Sequence, residues 1–127
     1  MKRDLLITSK VIAYQRGILS GLFIEENIKD ENIKKFNLIK QILEYNIHLF
    51  LSTQVDILKK AKKDVEECFK EGYYSAWIIS EIFENNLTDD EKAEYIEILG
   101  NAPLICENIP YYLDKLREEF YKQKIFN

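Results

Sequence analysis

Glycine, proline, cysteine and histidine are all scarce in this chain of 127 residues, at 4, 2, 2 and 1 copies. So little turn chemistry disfavours a sheet of many short strands, and abundant Ile, Leu, Lys, Glu and Asn favour helices joined by few connections. The two cysteines, Cys68 and Cys106, are too few for a disulfide framework and are expected to be reduced and buried. Nowhere do about 18 uncharged apolar residues follow one another, as a bilayer span requires. The run Leu5-Leu6-Ile7, behind Met1-Lys2-Arg3-Asp4, is too short for a signal-peptide core. The expectation is a soluble, cytoplasmic protein with no membrane partner. A hydrophobic share of 46% over this length suffices for one core, and hence for one domain over residues 1–127.

Constellations that carry chemistry are lacking too. The chain has no Glu-x-x-His pair and no close cysteine pair, so no metal site is assigned. It has no phosphate-cradling glycine loop and no nucleophile elbow. The stretch from Asn85 to Glu91 lacks the alternating ligands and the glycine of a calcium loop. His48, the lone histidine, shares its side of a helix with Gln41, Glu44 and Ser52, and Glu44 four residues away reads as a plain surface pair. The nearest preceding arginine is Arg16, too distant for the Arg-then-His spacing of helical ribonucleases. No catalytic residue or cofactor follows, and a binding module leads over an enzyme.

Apolar periodicity supplies the fold. Leu5, Ile12 and Leu19 recur at heptad spacing beside Val11, Ile18 and Leu22, predicting a first helix from about Asp4 to Asn27. Asp30 is read as the N-cap of a second helix, with Glu31 in its first turn. Ile33, Phe36, Ile39, Leu43, Ile47, Phe50 and Ile57 follow steps near 3.5 residues, flanked by Leu38, Ile42, Tyr45 and Leu49. Ser52-Thr53-Gln54 marks a candidate kink, and the pattern then narrows to Val55, Leu58, Val65 and Phe69. Gly72 stands where a C-cap glycine ends a helix. A third helix opens at Tyr73 and closes at Asn85-Asn86. Thr88 and Glu91 form a capping box for a fourth, Asp89 to Leu99, ended by Gly100. Pro103 and Pro110 suit first turns, giving a short turn near Leu104 to Glu107 and a last helix from Pro110 to about Lys124. The predicted architecture is an all-α compact bundle of about five helices around one long central helix, the second, with Leu43 and Ile47 in its core.

Charge is distributed unevenly. Residues 1–63 carry 12 basic and 7 acidic groups, residues 64–114 carry 2 and 13, and residues 115–127 carry 4 and 2. Between residues 81 and 97, Glu81, Glu84, Asp89, Asp90, Glu91, Glu94 and Glu97 face only Lys92. One reading is a solvated acidic face partly neutralised by the lysines of residues 59–63. The other is a docking face for a basic protein surface, such as a nuclease or other nucleic-acid-binding enzyme, with carboxylates standing in for phosphates. Direct nucleic-acid binding is not expected from a net charge of −4. Aromatic residues flank the tract. Trp77 and Phe83 read as core, while Tyr73, Tyr74, Tyr111 and Tyr112 are harder to bury and join Glu81, Glu84, Glu94 and Glu97 as candidate partner-binding residues. Reversing Glu84, Glu94 and Glu97 to Lys is the natural test of that face.

Ser9, Ala13, Gly17 and Gly21 recur every four residues, a small-residue stripe on the first helix. Ala13, Gly17 and Gly21 suit close packing of this helix against another in the same chain, or a symmetric helix pair in a homodimer; alternatively, Gly17 breaks the helix. A short acidic helical chain that is nearly all core plus one charged face is similar in style to immunity proteins and to phage or mobile-element inhibitors of nucleases. That likeness lies in composition. The leading function is thus an inhibitor-type binding module, with a self-associating helical scaffold and an enzyme of unrecognised class as alternatives.

Overall fold

A computed structural model of the chain describes residues 8–23, 29–72, 85–101, 103 and 106–126. Among them lie five α-helices and no strand: α1 (Ser9–Phe23), α2 (Lys29–Tyr45), α3 (Ser52–Lys70), α4 (Asp89–Leu99) and α5 (Ile109–Phe126). Short 3-10 turns at Ile47–Leu49 and Cys106–Asn108 precede α3 and α5. The all-α compact bundle is as expected. The predicted third helix, from Tyr73, falls outside the described residues.

The centre of the bundle is α1, not the second predicted helix. Gly17, Ile18, Leu19, Ser20, Gly21, Leu22 and Phe23 are buried in succession, and α1 packs against α2, α4 and α5. A helix buried all round needs an uncharged stretch, and residues 17–23 are that stretch. Two of its buried polar side chains donate to backbone carbonyls of other segments: Gln15 Nε2 to that of Leu49 at 2.9 Å, and Ser20 Oγ to that of Asn101 at 3.2 Å. Thr8 caps the helix, its Oγ1 accepting from the Val11 amide at 3.2 Å. Gly17 does not break α1, which runs through it.

The long second helix is two helices. Asn46 leaves helical geometry, with φ −127° and ψ 16°. Its carbonyl accepts from the Leu49 amide at 3.0 Å, and its side-chain oxygen accepts from Arg117 Nη2 of α5 at 2.6 Å. An asparagine offers the backbone such alternatives to helix, and here a tertiary partner holds it there. Phe50 and Leu51 are extended before α3 starts. Helical phase is lost across this break, so Ile47 is 41% exposed while Leu49 and Phe50 turn inward. Asp30 lies within the first turn of α2 rather than capping it.

The terminators and caps read from the sequence hold elsewhere. Thr88 Oγ1 accepts from the Glu91 amide at 3.2 Å, and Glu91 Oε1 accepts from the Thr88 amide at 2.9 Å, so α4 begins with a capping box. Gly72 follows α3 at φ +84°, the left-handed conformation of a C-cap glycine. A Cβ there would meet nothing within 4 Å, so only backbone strain opposes a side chain. Gly72→Ala is expected to cost about 1–2 kcal/mol in chemical denaturation; an unchanged midpoint would mean that the turn relaxes to negative φ.

Candidate functional site

The acidic tract is resolved by α4 into an inner and an outer set. At about 100° per residue, Glu91, Tyr95 and Ile98 fall on the buried side, with Glu94 at its margin. Asp89, Asp90, Lys92, Ala93, Ile96, Glu97, Leu99 and Gly100 are exposed.

The inner acids are spent within the fold. Arg16 of α1 makes a two-pronged contact with Glu94, Nε to Oε2 at 3.0 Å and Nη2 to Oε1 at 2.8 Å. Gln54 of α3 completes the arrangement, donating Nε2 to Glu94 Oε2 at 3.0 Å while its Oε1 accepts from the Leu51 amide at 3.0 Å. Three helices therefore meet on one carboxylate. Burial alone would raise the Glu94 carboxyl, but the hydrogen bonds from Arg16 and Gln54 and the arginine charge outweigh it and hold the group below its ordinary range. Glu91 is similar: burial works upward, while Lys60 of α3 and the Thr88 amide bring it down. Lys60 also donates to the Asn86 carbonyl at 3.0 Å. Neutralisation by the lysines of residues 59–63 is thus realised at Lys60, and Arg16 adds a partner that no local spacing announces, 78 residues away.

This corrects the candidate site. Glu94 has a side chain only 11% exposed and is a structural group, not a free docking carboxylate. A charge reversal there would break the fold's own pair and confuse lost folding with lost binding. Glu97 keeps a side chain 63% exposed, although Arg16 Nη1 stands 3.7 Å from it. Glu81, Glu84, Tyr73 and Tyr74 lie outside the described residues.

The remaining tyrosines belong to a different surface. Tyr112 packs on Tyr14 of α1 with ring centroids 5.5 Å apart, and Tyr111 meets Tyr112 edge-on at 5.2 Å. Lys115 stands over the Tyr111 ring at 5.2 Å and Lys10 over Tyr14 at 5.9 Å. As expected of an adjacent pair, one of the two, Tyr111, reaches solvent. Tyr14 and Arg16 project about 160° apart around α1. The Tyr pair and the α4 acids therefore flank α1 on opposite sides and do not form one acidic, Tyr-containing face.

What sequence reasoning missed is an apolar element in the acidic tract. Ile96 is 68% and Leu99 42% exposed, on the outward side of α4 beside Glu97. The signal was present: Ile96 sits about 100° from Tyr95 and about 160° from Ile98, too far around a helix for one core to take all three, and Leu99 lies on the arc between Tyr95 and Ile96.

Gly17 and Gly21 are buried within this one chain while Ala13 is exposed, which favours close packing over a dimer seam at the glycines. His48 lies in the 3-10 turn, exposed, and not on a helix face with Glu44. Cys68 is half-buried rather than buried. Burial first, then Asp64, Glu71 and Glu67, push its thiol up, which makes it a poor nucleophile at neutral pH. An open groove of about 370 Å³ between α2 and the second 3-10 turn is lined by Lys34, Asn37, Leu38, Gln41 and Glu107, without a nucleophile beside a base. Among the described residues, no cluster of His, Cys, Asp and Glu could hold a metal ion, and no helix is long and apolar enough to cross a membrane. Compared with known proteins, the chain matches no family model, no curated protein and no solved structure.

Proposed function

We propose that this chain is a protein-binding module of the inhibitor or immunity type, and that it docks a basic partner, such as a nucleic-acid-handling enzyme, on the outward side of α4. The observation that carries this reading is the exposure of Ile96 and Leu99 beside Asp90 and Glu97. An apolar centre with charge at its rim is the anatomy of a docking surface. The sequence-based choice of Glu94 is replaced by Asp90, and the tyrosines give way to Ile96 as anchor. The acids steer a cationic surface in, and the apolar side chains hold it once water is displaced.

The test is affinity purification with the wild-type chain and Ile96→Asp. Because Ile96 touches mainly solvent, the variant is expected to keep its stability to within about 0.5 kcal/mol. Capture of a basic protein by wild type, lost with Ile96→Asp and weakened by Asp90→Lys with Glu97→Lys, is the expected outcome. Equal capture by all three chains would refute the reading. Size that grows with concentration and no captured partner would move the function to the self-associating scaffold.

A further inference from the structure

The outward side of α4 has an order beyond mere exposure. At 100° per residue, Ala93, Ile96 and Gly100 fall within about 60° of one another and form a central strip, with Asp89 at its head. Ile96 is the projecting member. Ala93 and Gly100, one turn before it and one after, have almost no side chain, so the helix backbone is bare on either side. On one edge of the strip lie Asp90 and Glu97, seven residues apart; on the other lie Lys92 and Leu99, also seven apart. The strip and both edges thus repeat at heptad spacing, the pattern by which one helix lies along another.

Resting on the docking reading above, we infer that the partner presents an α-helix laid along α4, with apolar residues at heptad spacing and basic residues along the edge that meets Asp90 and Glu97. Charge complementarity fixes the sidedness. Only one edge of α4 is acidic, so a helix with lysines or arginines on one flank fits, whereas one basic all round brings like charge against Lys92. Addition of a peptide as a β-strand would need an unpaired strand to join, and the described residues contain none. The length is set as well: eleven residues of α4 span about 16 Å, which a partner segment of about three turns covers. So short a strip buries less than the roughly 800 Å² per partner of a standard interface, the size class of weak and transient contacts.

Three synthetic peptides of equal length test this, with apolar residues at heptad positions in each. The first is helix-stapled with Lys and Arg along one edge, the second is stapled with Glu in their place, and the third has the first one's residues interrupted by two prolines. Each is titrated into the full chain, and backbone amide shifts are followed by heteronuclear NMR. The first peptide is expected to saturate below about 1 mM, moving the amides of Ala93, Ile96, Leu99 and Gly100. The second and third should bind at least about tenfold more weakly, and Ile96→Asp should abolish the response to the first without moving the melting temperature. Equal binding by the proline-containing peptide, shifts confined to another surface, or no saturable shift overturns the helix inference. If a basic protein is captured in an Ile96-dependent way while no stapled peptide binds, the partner is not a helix and the docking reading stands. If capture ignores Ile96, both fall.

Discussion

Leu58→Ala is expected to lower stability by about 2–5 kcal/mol in chemical denaturation, while Ile47→Ala changes it by no more than about 0.5. Both residues belong to one apolar series in the sequence, and a continuous helix would make them equivalent. They differ because Asn46 ends α2. Leu58 is fully buried in α3, in the same core as Ile18, Leu22 and Ile57, so truncation leaves a cavity walled by side chains already in contact. Ile47 sits in the 3-10 turn, with 41% of its surface in water, and its loss removes little apolar contact. Leu43, half-buried on α2, should fall between them. If Ile47→Ala cost as much as Leu58→Ala, the helix would be continuous through residue 46 in solution. That outcome would return the core to the register read from periodicity alone.

This contrast marks where the sequence was legible. Local signals were sufficient wherever their physics is local. Thr88 and Glu91 cap α4 because the box needs only residues three apart, Gly100 follows α4, and Gly72 takes positive φ because nothing else tolerates it as well. Periodicity found Val11, Ile18, Leu19 and Leu22 for the same reason. It failed at Asn46, where the decisive group is Arg117, on another helix 71 residues away. It also ranked the helices wrongly, since the widest apolar arc was taken as the centre. The uncharged run from Gly17 to Phe23 was the better guide, because a helix surrounded on all sides cannot carry charge. The candidate site divided along the same line. Counting acids located α4, but which acids face water depended on Arg16, Gln54 and Lys60, and no spacing in a single helix encodes that.

Arg16→Met is expected to destabilise the fold by about 2–3 kcal/mol at neutral pH, toward the lower end of what breaking a buried pair costs, because the Arg16 side chain is 23% exposed. The cost arises from what is left behind. Glu94 would remain in a site that burial makes unfavourable for a carboxylate, with Gln54 alone to donate to it. The pH dependence follows from the direction of the shift. In the wild type the Glu94 carboxyl is held below its unfolded value, so its contribution is complete above the ordinary glutamate range, near pH 4.3, and drains away as the pH falls through the folded value. Glu91 acts in the same sense in both chains. Asp64 acts oppositely: burial and Glu67 raise it, so its contribution is present below the unfolded value and lost as the pH rises through the folded one. Neither of these touches Arg16, so the difference between wild type and Arg16→Met reports chiefly on Glu94, with the longer contact to the exposed Glu97 a smaller part. That difference should be largest at pH 7 and shrink as the pH falls through the range in which Glu94 takes up its proton, because a protonated Glu94 no longer needs a cation. Adding Glu94→Gln to Arg16→Met should recover part of the loss at pH 7, since the amide brings no buried charge. A gap of constant size as the pH falls through that range, unrelieved by the second substitution, would mean that Arg16 stabilises α1 and α4 through the packing of its methylenes, with the carboxylate a bystander.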